Sequence, residues 1–538
     1  MASITQSFAR ALAWLERLAS RPLGAVVLFA LGIGVYAVRA IAWPLRPGRD
    51  FDEYALAYLQ LFDRDVLLPW SLLFRTPVTP LVTGAVVDPL DGVLAEPLMA
   101  VLFAASVVAW SAAARYFGAW VALTVAAALL VFPGYGAMFH ELASEAVLAT
   151  AFAVWALLVT RASFAPSLSR FAVVGLGLAL LALVRPGNAV LLVFGLFPLV
   201  LSGRFREKLS WAAALTVAAV VPLVGWATVN GVRFDEYTLA RGGNAIIPFY
   251  RAFITDHIVS PENGDASRRL ATAMQRHLLT REPYRSYGVT LDELFRTGSF
   301  RVHEDLYLLS DQVFGWDDDY RILRDAGVEG VRAHPGTYAK GVLRTVWEEL
   351  GGKAYFRVVG GSGGTPSAAT RSPGTKRLPE PTEGEPIPAG QVVWISRPDQ
   401  RIRQVWTSPT RWHVEFRRPE DRPRFEKITR DVRELEQRFP DRAANEGLAR
   451  RLSQLSRWFP RPLIWAVLGL VAVALRRPRG WTMLVGLSVA AFLVVLLNAL
   501  GLFTDLHFAL PVAPAFVLLG LGGLLGAHER SEPAASQR

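Results

Sequence analysis

Acidic residues gather in this chain with the spacing that proton transfer or ion binding requires. The first cluster is Arg49-Asp50-Phe51-Asp52-Glu53-Tyr54, which has three carboxylates in four positions. Asp50 and Glu53 also have the spacing of a capping box, and the apolar residues that follow favour a helix starting here. The cluster therefore predicts a helix N-terminus, acids that face a cavity, or both, because one carboxylate can cap while its neighbour points inward.

A second cluster follows the turn Phe132-Pro133-Gly134-Tyr135 and consists of His140, Glu141 and Glu145. Glu141 and Glu145 are four residues apart, so a helix places both on one face with the imidazole beside them. The alternative is an exposed helix start, since a charge at the membrane edge costs far less than one at the bilayer centre. Glu96, near the start of another apolar run, is open to the same two interpretations.

Arg185 ends an apolar run in the sequence Val184-Arg185-Pro186-Gly187. A guanidinium donates two parallel hydrogen bonds to a phosphate, so Arg185 is a candidate for binding an anionic lipid headgroup. The alternative is an arginine that snorkels to the membrane surface without a ligand. Asp505, His507 and Phe508 lie in the last polar loop, ahead of two prolines.

The composition indicates a membrane protein. Of 538 residues, 52% are hydrophobic and 19% charged, and the mean hydropathy is +0.30; an ordinary soluble domain is roughly a quarter charged. The absence of cysteine excludes disulfides, thiolate metal sites and thiol nucleophiles. Arginines that border apolar runs explain the net charge of +11 better than nucleic acid does, so no nucleic-acid partner is expected.

About twenty apolar residues cross a bilayer, and such runs predict about ten spans. The runs are 23–43, 93–114, 118–137, 143–160, 171–186, 187–202, 210–230, 462–475, 481–502 and 506–526. A cytoplasmic N-terminus places the arginines around 10–21, 115, 161–170, 204–206 and 476–479 inside, as the positive-inside rule requires. The first span is then a retained anchor, preceded by an amphipathic surface helix at 4–20. Both termini would be cytoplasmic in a multi-pass plasma (inner) membrane protein.

The expected fold is therefore an all-α polytopic membrane protein with an extracytoplasmic, mostly helical domain inserted before the last three spans. Residues 1–230 form the first transmembrane module, whose outer loop 44–92 carries the first acidic cluster. Residues 231–460 form the extracytoplasmic domain, with a flexible Gly/Pro-rich passage at 360–390, and residues 461–538 the last spans and tail. The acids and Arg185 all fall on the outer side, which favours an enzyme for lipid-linked substrates over a transporter, whose ionisable groups lie near the midplane.

In order and spacing, these motifs resemble the GT-C superfamily of integral-membrane glycosyltransferases, near the branch of bacterial protein O-mannosyltransferases and aminoarabinose transferases. Asp50 to Tyr54 is similar to the family's Asp-x-x-x-Tyr, and Arg75-Thr76-Pro77-Val78-Thr79-Pro80 to its Arg-Thr-Pro-x-Tyr-Pro. The further matches are Ser144-Glu145, Arg185-Pro186 and His334-Pro335-Gly336-Thr337-Tyr338. His507-Phe508 stands where the family has Arg-Tyr. The resemblance covers 23–230 well and 334–526 loosely.

The resemblance implies transfer of a sugar, with inversion, from a polyprenyl-phosphate donor to a glycan, glycolipid or protein acceptor. Asp50 would be the base, with Asp52 the second choice, and Arg185 would bind the leaving phosphate. The implied substrate-binding residues are Tyr54, Arg75, His140, Glu145 and His507. A divalent cation held by Glu141, Glu145 or Glu96 is a candidate cofactor.

Two other functions stay open at this point. One is a polysaccharide polymerase or ligase that uses a diphosphate-linked lipid. The other is a flippase or transporter that moves a lipid-linked sugar without forming a bond. Transfer from a monophosphate donor to a defined acceptor would distinguish the implied glycosyltransferase from a polymerase or ligase.

Overall fold

The computed structural model describes residues 22–282, 284–297, 303–351, 382–383, 394–395, 401–406, 411–502 and 506–527, and the chain is mostly helical. The helices that position the site and the insert are α1 Pro22–Ala42, α2 Phe51–Gln60, α3 Val78–Val87, α4 Ala95–Ala114, α5 Ala119–Val131, α6 Ser144–Phe164, α7 Leu168–Val184, α8 Phe205–Phe234, α9 Asp265–Ala273, α10 Leu308–Val313, α11 Arg321–Ala333, α12 Pro335–Gly351, α13 Asp421–Gln437, α14 Glu446–Ser456, α15 Pro462–Arg476, α16 Trp481–Gly501 and α17 Pro514–Leu525. The amphipathic helix expected at 4–20 lies outside the described residues.

Shorter elements connect these helices. The short α-helices are Pro69–Leu73, Pro133–Ala137, Gly243–Ala245, Tyr284–Tyr287, Leu291–Thr297 and Leu506–Ala509. The 3₁₀ segments are Pro89–Gly92, Arg115–Phe117, Met138–His140, Pro186–Val200, Trp316–Asp318 and Leu510–Val512. The π-helical segments are Ile246–Thr255, Met274–Leu278 and His303–Tyr307. The strands are β1 Arg46–Pro47, β2 Glu141–Leu142, β3 Thr382–Glu383, β4 Trp394–Ile395, β5 Ile402–Trp406 and β6 Arg411–Phe416.

Five described helices, α1, the α4 region to Phe117, α6, α8 and α16, are long and apolar enough to cross a membrane. Apolar helical segments also stand at the other expected spans, but most are shorter than eighteen residues, so the expected count of ten is not established. The segment Pro186–Val200 shows why length alone misleads. Its fifteen residues are wound as a 3₁₀ helix, which at about 2.0 Å per residue extends roughly 30 Å, the thickness of the hydrocarbon core.

The third expected span is broken. Helix α5 ends before Pro133, and the chain bends by 63° into Pro133–His140. A proline removes one backbone donor and disfavours the helical conformation of the residue before it, which leaves carbonyls without partners. The buried Arg39 of α1 supplies donors there, since its Nη2 lies 2.7 Å from the Leu130 carbonyl and 3.3 Å from that of Phe132.

The two ends of the helix bundle differ in what they gather. At one end, the Arg479 amide donates to the Ala527 carbonyl at 2.9 Å, and the Ala527 amide donates to the Phe117 carbonyl at 3.2 Å. The arginines expected in the cytoplasm, including Arg115 and Arg161, border this end. At the other end β1 pairs in parallel with β2, with Arg46 opposite Glu141. The end of α1 and the start of α6 therefore lie side by side.

The inserted segment has its own hydrophobic core, built from the residues between Ala245 and Ala326. Arg251 fixes this part to the last spans, because its buried guanidinium donates to Thr345 of α12 at 3.0 Å and to the Ala499 carbonyl of α16 at 2.8 Å. Tyr338 of α12 donates to the Leu500 carbonyl at 2.6 Å. Two helices of the insert are thereby held at the end of α16.

The inserted domain, which was expected to be mostly helical, also contains a small sheet. Strands β3 to β6 form a four-stranded sheet in the order β3-β6-β5-β4, in which β5 and β6 run antiparallel with Ile402 opposite Phe416. The sequence of β6, Arg411-Trp412-His413-Val414-Glu415-Phe416, alternates polar and apolar residues, which is the period of a half-buried strand. Apart from Thr382 and Glu383, the passage 360–390 lies outside the described residues.

Helix α13 packs on α2. Residues in α13 and in the loop after it bind the first outer segment, around 44–96. Phe439 meets Phe51 edge to face, with ring centroids 5.0 Å apart. Three ion pairs, which we call the arginine clamp, join Arg424 to Asp65, Arg438 to Asp88 and Arg442 to Glu96. The insert thus covers the segment that carries the first acidic cluster.

Candidate active site

Asp50 stands at the N-terminus of α2 in a conformation unusual for a residue with a side chain. Its backbone is left-handed, with φ 58° and ψ 21°, a region that aspartate tolerates better than most residues. Its carbonyl accepts the Tyr54 amide at 3.0 Å, so the helix does begin here. Its side chain makes no capping hydrogen bond, so the capping-box interpretation is wrong. The carboxylate instead lies 3.4 Å from Nη2 of Arg75.

Arg75 gathers the first half of the site. The same guanidinium that approaches Asp50 forms an ion pair with Glu53 and lies over the Tyr54 ring, 5.1 Å from its centroid. Partial burial raises the pKa of the Glu53 carboxyl, and the Arg75 charge opposes that rise. Arg75 lies between the short helix Pro69–Leu73 and α3, where Pro77 restricts the backbone.

Arg185 gathers the second half. Because it precedes Pro186, its backbone is extended, with φ −142° and ψ 122°, and α7 ends at Val184. Its Nε donates to Oγ of Ser144 at 2.8 Å, and its Nη2 forms an ion pair with Glu145. Ser144 and Glu145 are buried at the start of α6, whereas the Arg185 side chain is 19% exposed. Phe508 lies beside the guanidinium, 5.7 Å from ring centroid to Cζ.

The two halves meet around Tyr54. Oγ1 of Thr79, in α3, donates to the Val184 carbonyl at 2.9 Å, which ties the Arg75 segment to the residue before Arg185. Burial raises the pKa of the Tyr54 phenol, and the charges of Arg75, Arg185, Glu145 and Asp50 all act on it. The described structure therefore brings together five of the residues that the sequence singled out: Asp50, Tyr54, Arg75, Glu145 and Arg185.

Three other candidates lie elsewhere or outside the description. Asp52 is exposed on α2 and faces α13, where burial and then repulsion from Asp52 raise the pKa of Glu436. His140 is buried against α1, stacked on Tyr36 at 4.2 Å and beside Trp43. The backbone of His507 begins a short helix, but its side chain is outside the described residues.

The carboxylates proposed for a metal are divided among different partners. Glu145 pairs with Arg185, whereas Glu96 accepts the Leu45 amide at 3.2 Å and binds Arg442 of the arginine clamp. Glu141 lies in β2, opposite Arg46. Among the described residues, no three His, Asp or Glu side chains are arranged to hold a metal ion. These three residues do not fit a shared cation, so no chemical step is derived through one.

Two members of the site were not predicted as functional. Glu53 was assigned to helix capping because it lies three residues after Asp50, yet it is the ion-pair partner of Arg75. Ser144 was noted as part of a motif without a role, although it accepts from Arg185. The available signal was the Ser-Glu dipeptide at a helix start, since neither residue favours burial in a membrane bundle without a polar partner.

Comparison with known proteins gives limited information. No family model matches the chain, and no curated protein matches it. A crystal structure of ArnT from Cupriavidus metallidurans bound to undecaprenyl phosphate is 13% identical, with 94% of this chain and 78% of that chain covered and a TM-score of 0.31. A likeness this distant assigns neither a family nor a function, so the functional proposal rests on the geometry of the site and on the sequence motifs.

Proposed function

We propose that the chain is a GT-C-type glycosyltransferase that moves a sugar from a polyprenyl-phosphate donor to a cell-envelope acceptor on the outer side of the plasma membrane. The observation that carries the proposal is the convergence of Asp50, Glu53 and Glu145 with Arg75 and Arg185 around buried Tyr54. This group of residues lies at the end of the bundle opposite Phe117, Arg479 and Ala527. The site thus holds carboxylates that can accept a proton and a guanidinium that can bind a phosphate.

Arg185 is arranged to bind the donor phosphate while keeping its protein partners. Ser144 and Glu145 occupy Nε and one side of Nη2, and Nη1 makes no hydrogen bond to a described residue. The remaining edge of the guanidinium can donate to a phosphate oxygen. Glu145 would fix the orientation of the Arg185 guanidinium, so that little reorganisation is needed when charge develops on the leaving phosphate.

The transfer itself would be a single displacement with inversion. The acceptor oxygen forms a bond to the anomeric carbon as the bond from that carbon to the phosphate oxygen breaks. The hydroxyl proton passes to the Asp50 carboxylate, and the phosphate leaves with both bonding electrons as polyprenyl phosphate next to Arg185. Arg75 would hold Asp50 in place. Asp50 is preferred to Asp52 because it is the one that faces this site.

The test compares Asp50→Asn with Asp52→Asn in the purified full-length protein in nanodiscs. The substrates are a panel of undecaprenyl monophosphate and diphosphate sugars, with an envelope extract as the acceptor. The readout is release of the lipid phosphate and labelling of the acceptor. We expect Asp50→Asn to lose roughly two or more orders of magnitude in rate, since general-base catalysis contributes about that much. Asp52→Asn, a matched control on the same helix, should stay close to the wild type.

Each other outcome points elsewhere. A normal rate in Asp50→Asn removes this residue as the base. Turnover of diphosphate donors alone replaces the proposed donor by that of a polymerase or ligase. Movement of the labelled lipid across the bilayer, without release of its phosphate, indicates a flippase.

A further inference from the structure

One face of α9 and of the π-helical turn after it is strongly basic. Residues three or four apart along these elements share a face, and that face presents Asp265, Arg268, Arg269, Thr272, Arg276 and His277. The opposite face, which includes Leu270 and Met274, is buried in the core of the insert. The polar face is therefore held in one orientation by the packing beneath it.

This face forms one wall of an open groove of about 570 Å³. The other wall is made by Val313 and Phe314, at the end of α10. The guanidinium of Arg269 lies over the Phe314 ring, 5.4 Å from its centroid. A volume of this size falls within the range of small-molecule sites, about 300–1,000 Å³, and exceeds what a single phosphate ion needs.

The groove carries an excess of positive charge. Its lining has three arginines and one aspartate, and Arg268 pairs with that aspartate at 2.8 Å. Among the described residues, neither Arg269 nor Arg276 has a carboxylate within ion-pair distance. A guanidinium binds carboxylate and phosphate groups through parallel hydrogen bonds. Two such donors are thus available to a ligand.

A short path connects the groove with the candidate active site. Phe314, in the groove wall, follows α10, and Tyr307 immediately precedes that helix. Seven helical residues rise about 10 Å. Tyr307 stacks on Phe74 with ring centroids 6.0 Å apart, and Phe74 is the residue before Arg75. A glycan bound in the groove must therefore extend past α10 and Phe74 to bring a hydroxyl to the site.

We propose that this groove binds an anionic glycan, a carbohydrate chain that bears carboxylate or phosphate groups, as the acceptor. Arg269 and Arg276 would bind the acidic groups, and the Phe314 ring would pack against the face of a sugar. The role as acceptor rests on the proposed function, but the binding does not, because it needs neither donor nor catalysis. The acceptor class therefore follows from the charge of a surface that α10, Tyr307 and Phe74 connect to the reacting groups.

The test measures binding of two fluorescent probes to the full-length protein in detergent by anisotropy. The probes are an oligogalacturonate, which carries carboxylates, and a glycerol phosphate oligomer; a maltodextrin of equal length is the neutral reference. We expect an anionic probe to bind and the maltodextrin not to bind. Arg269→Gln/Arg276→Gln should weaken binding at least roughly tenfold, since one charge-assisted hydrogen bond is worth about that factor or more.

The matched control is Arg321→Gln/Arg332→Gln, which removes two exposed positive charges from α11 in the same part of the chain. Binding should survive in this control. The proposal is overturned if neither anionic probe binds, if the maltodextrin binds equally well, or if the two double variants lose affinity to the same extent. Displacement of the probes by phosphatidylglycerol vesicles but not by unlabelled oligogalacturonate would mark the groove as a lipid-facing surface and overturn it too.

The failure of this proposal is distinguishable from the failure of the proposed function. Loss of probe binding in Arg269→Gln/Arg276→Gln, in a protein that transfers no sugar from any donor, keeps the groove and contradicts the enzyme. Sugar transfer by a protein that binds neither probe keeps the enzyme and removes the groove as its acceptor site.

Discussion

At the scale of single residues, Arg185 is set in place by its own neighbours before any ligand arrives. Ser144 fixes Nε, Glu145 fixes Nη2, and the extended backbone imposed by Pro186 directs the side chain toward α6. A snorkelling arginine has no such set of partners. The surrounding hydrogen bonds therefore favour recognition of a ligand over anchoring to the membrane surface.

Substitution of Arg185 tests this interpretation. A lysine keeps the charge but cannot bind Ser144, Glu145 and a phosphate at once, because its ammonium lacks the planar fork. We expect Arg185→Lys to weaken binding of an undecaprenyl-phosphate sugar by about tenfold, and Arg185→Ala to weaken it further. Affinity is measured in nanodiscs. Arg161→Lys, at the opposite end of α6, is the control and should bind normally; unchanged affinity and turnover in Arg185→Ala would remove Arg185 from the site.

The types of residue in the site could be predicted from sequence, whereas their pairing could not. Asp50, Glu145 and Arg185 stood out because polar residues at the ends of apolar runs are costly without partners, whereas Tyr54 and Arg75 stood out only through the resemblance to the GT-C motifs. The capping spacing of Asp50 and Glu53 gave no indication that Asp50 adopts a left-handed backbone, which turns its side chain to Arg75. Asp50 follows β1, whose pairing with β2 joins residues about ninety-five positions apart, and no local pattern indicates that pairing.

At the scale of elements, the arginine clamp holds α13 and its following loop on the first outer segment. The pairs are partly exposed, with Asp88 46% and Glu96 20% accessible, so each contributes roughly 0–1 kcal/mol. The hydrogen bond from Arg438 holds the pKa of Asp88 below its usual range. The contribution of the Arg438–Asp88 pair to stability is therefore present at neutral pH. It is lost as the pH falls through the pKa of Asp88 in the folded state.

Removal of two clamp arginines should loosen this contact without unfolding the bundle. In Arg438→Gln/Arg442→Gln we expect amide exchange in α2 and α13 to accelerate by up to roughly thirtyfold, the factor for about 2 kcal/mol. High salt should produce part of the same effect in the wild type, because exposed pairs are screened. Arg430→Gln/Arg433→Gln on the exposed face of α13 serves as the control. Equal acceleration in both double variants would show that the clamp contributes nothing specific.

Helices and strands could be predicted where a local sequence pattern determines them. Their ends could not be predicted where a break in the helix determines them. The residues 431–458 have the pattern of one helix, but α13 ends at Gln437 and α14 begins at Glu446, with Pro440 between them. The proline was visible, yet the charged residues on both sides favour helix, so the pattern alone favoured continuity. The alternation in β6 was also visible in the sequence, but the strand was not predicted.

At the scale of the whole molecule, the two ends of the bundle differ in the loops that they carry. The arginine-rich loops share one end of the bundle, and the candidate site and the insert lie at the other. Span number was harder to predict, because the 3₁₀ segment Pro186–Val200 and the bent third span do not follow the length rule of straight α-helices. Sidedness depends on charge alone and is therefore more predictable than the count.

Reporter fusions test the sidedness. Fusions after Arg206 and Arg479 should report a cytoplasmic location, and a fusion after Gly390 an extracytoplasmic one, since arginines border the cytoplasmic ends. Paired alkaline phosphatase and fluorescent protein fusions give opposite signals and so control for expression. A cytoplasmic signal at Gly390 would place the candidate site and the groove on the wrong side for an envelope acceptor.

The guanidinium of Arg39 has a consequence for how the protein is made. It lies in α1, but the carbonyls it binds belong to Leu130 and Phe132, some ninety residues later in the chain. Until the third span has been synthesised, this charge must stay solvated among the lipid headgroups. Its final place also requires Gly136, where a Cβ atom would lie 1.5 Å from Nη1. Biogenesis of the bundle is therefore not a sequence of independent helix insertions, since α1 reaches its final depth only after α5 and the bent segment after it have joined it.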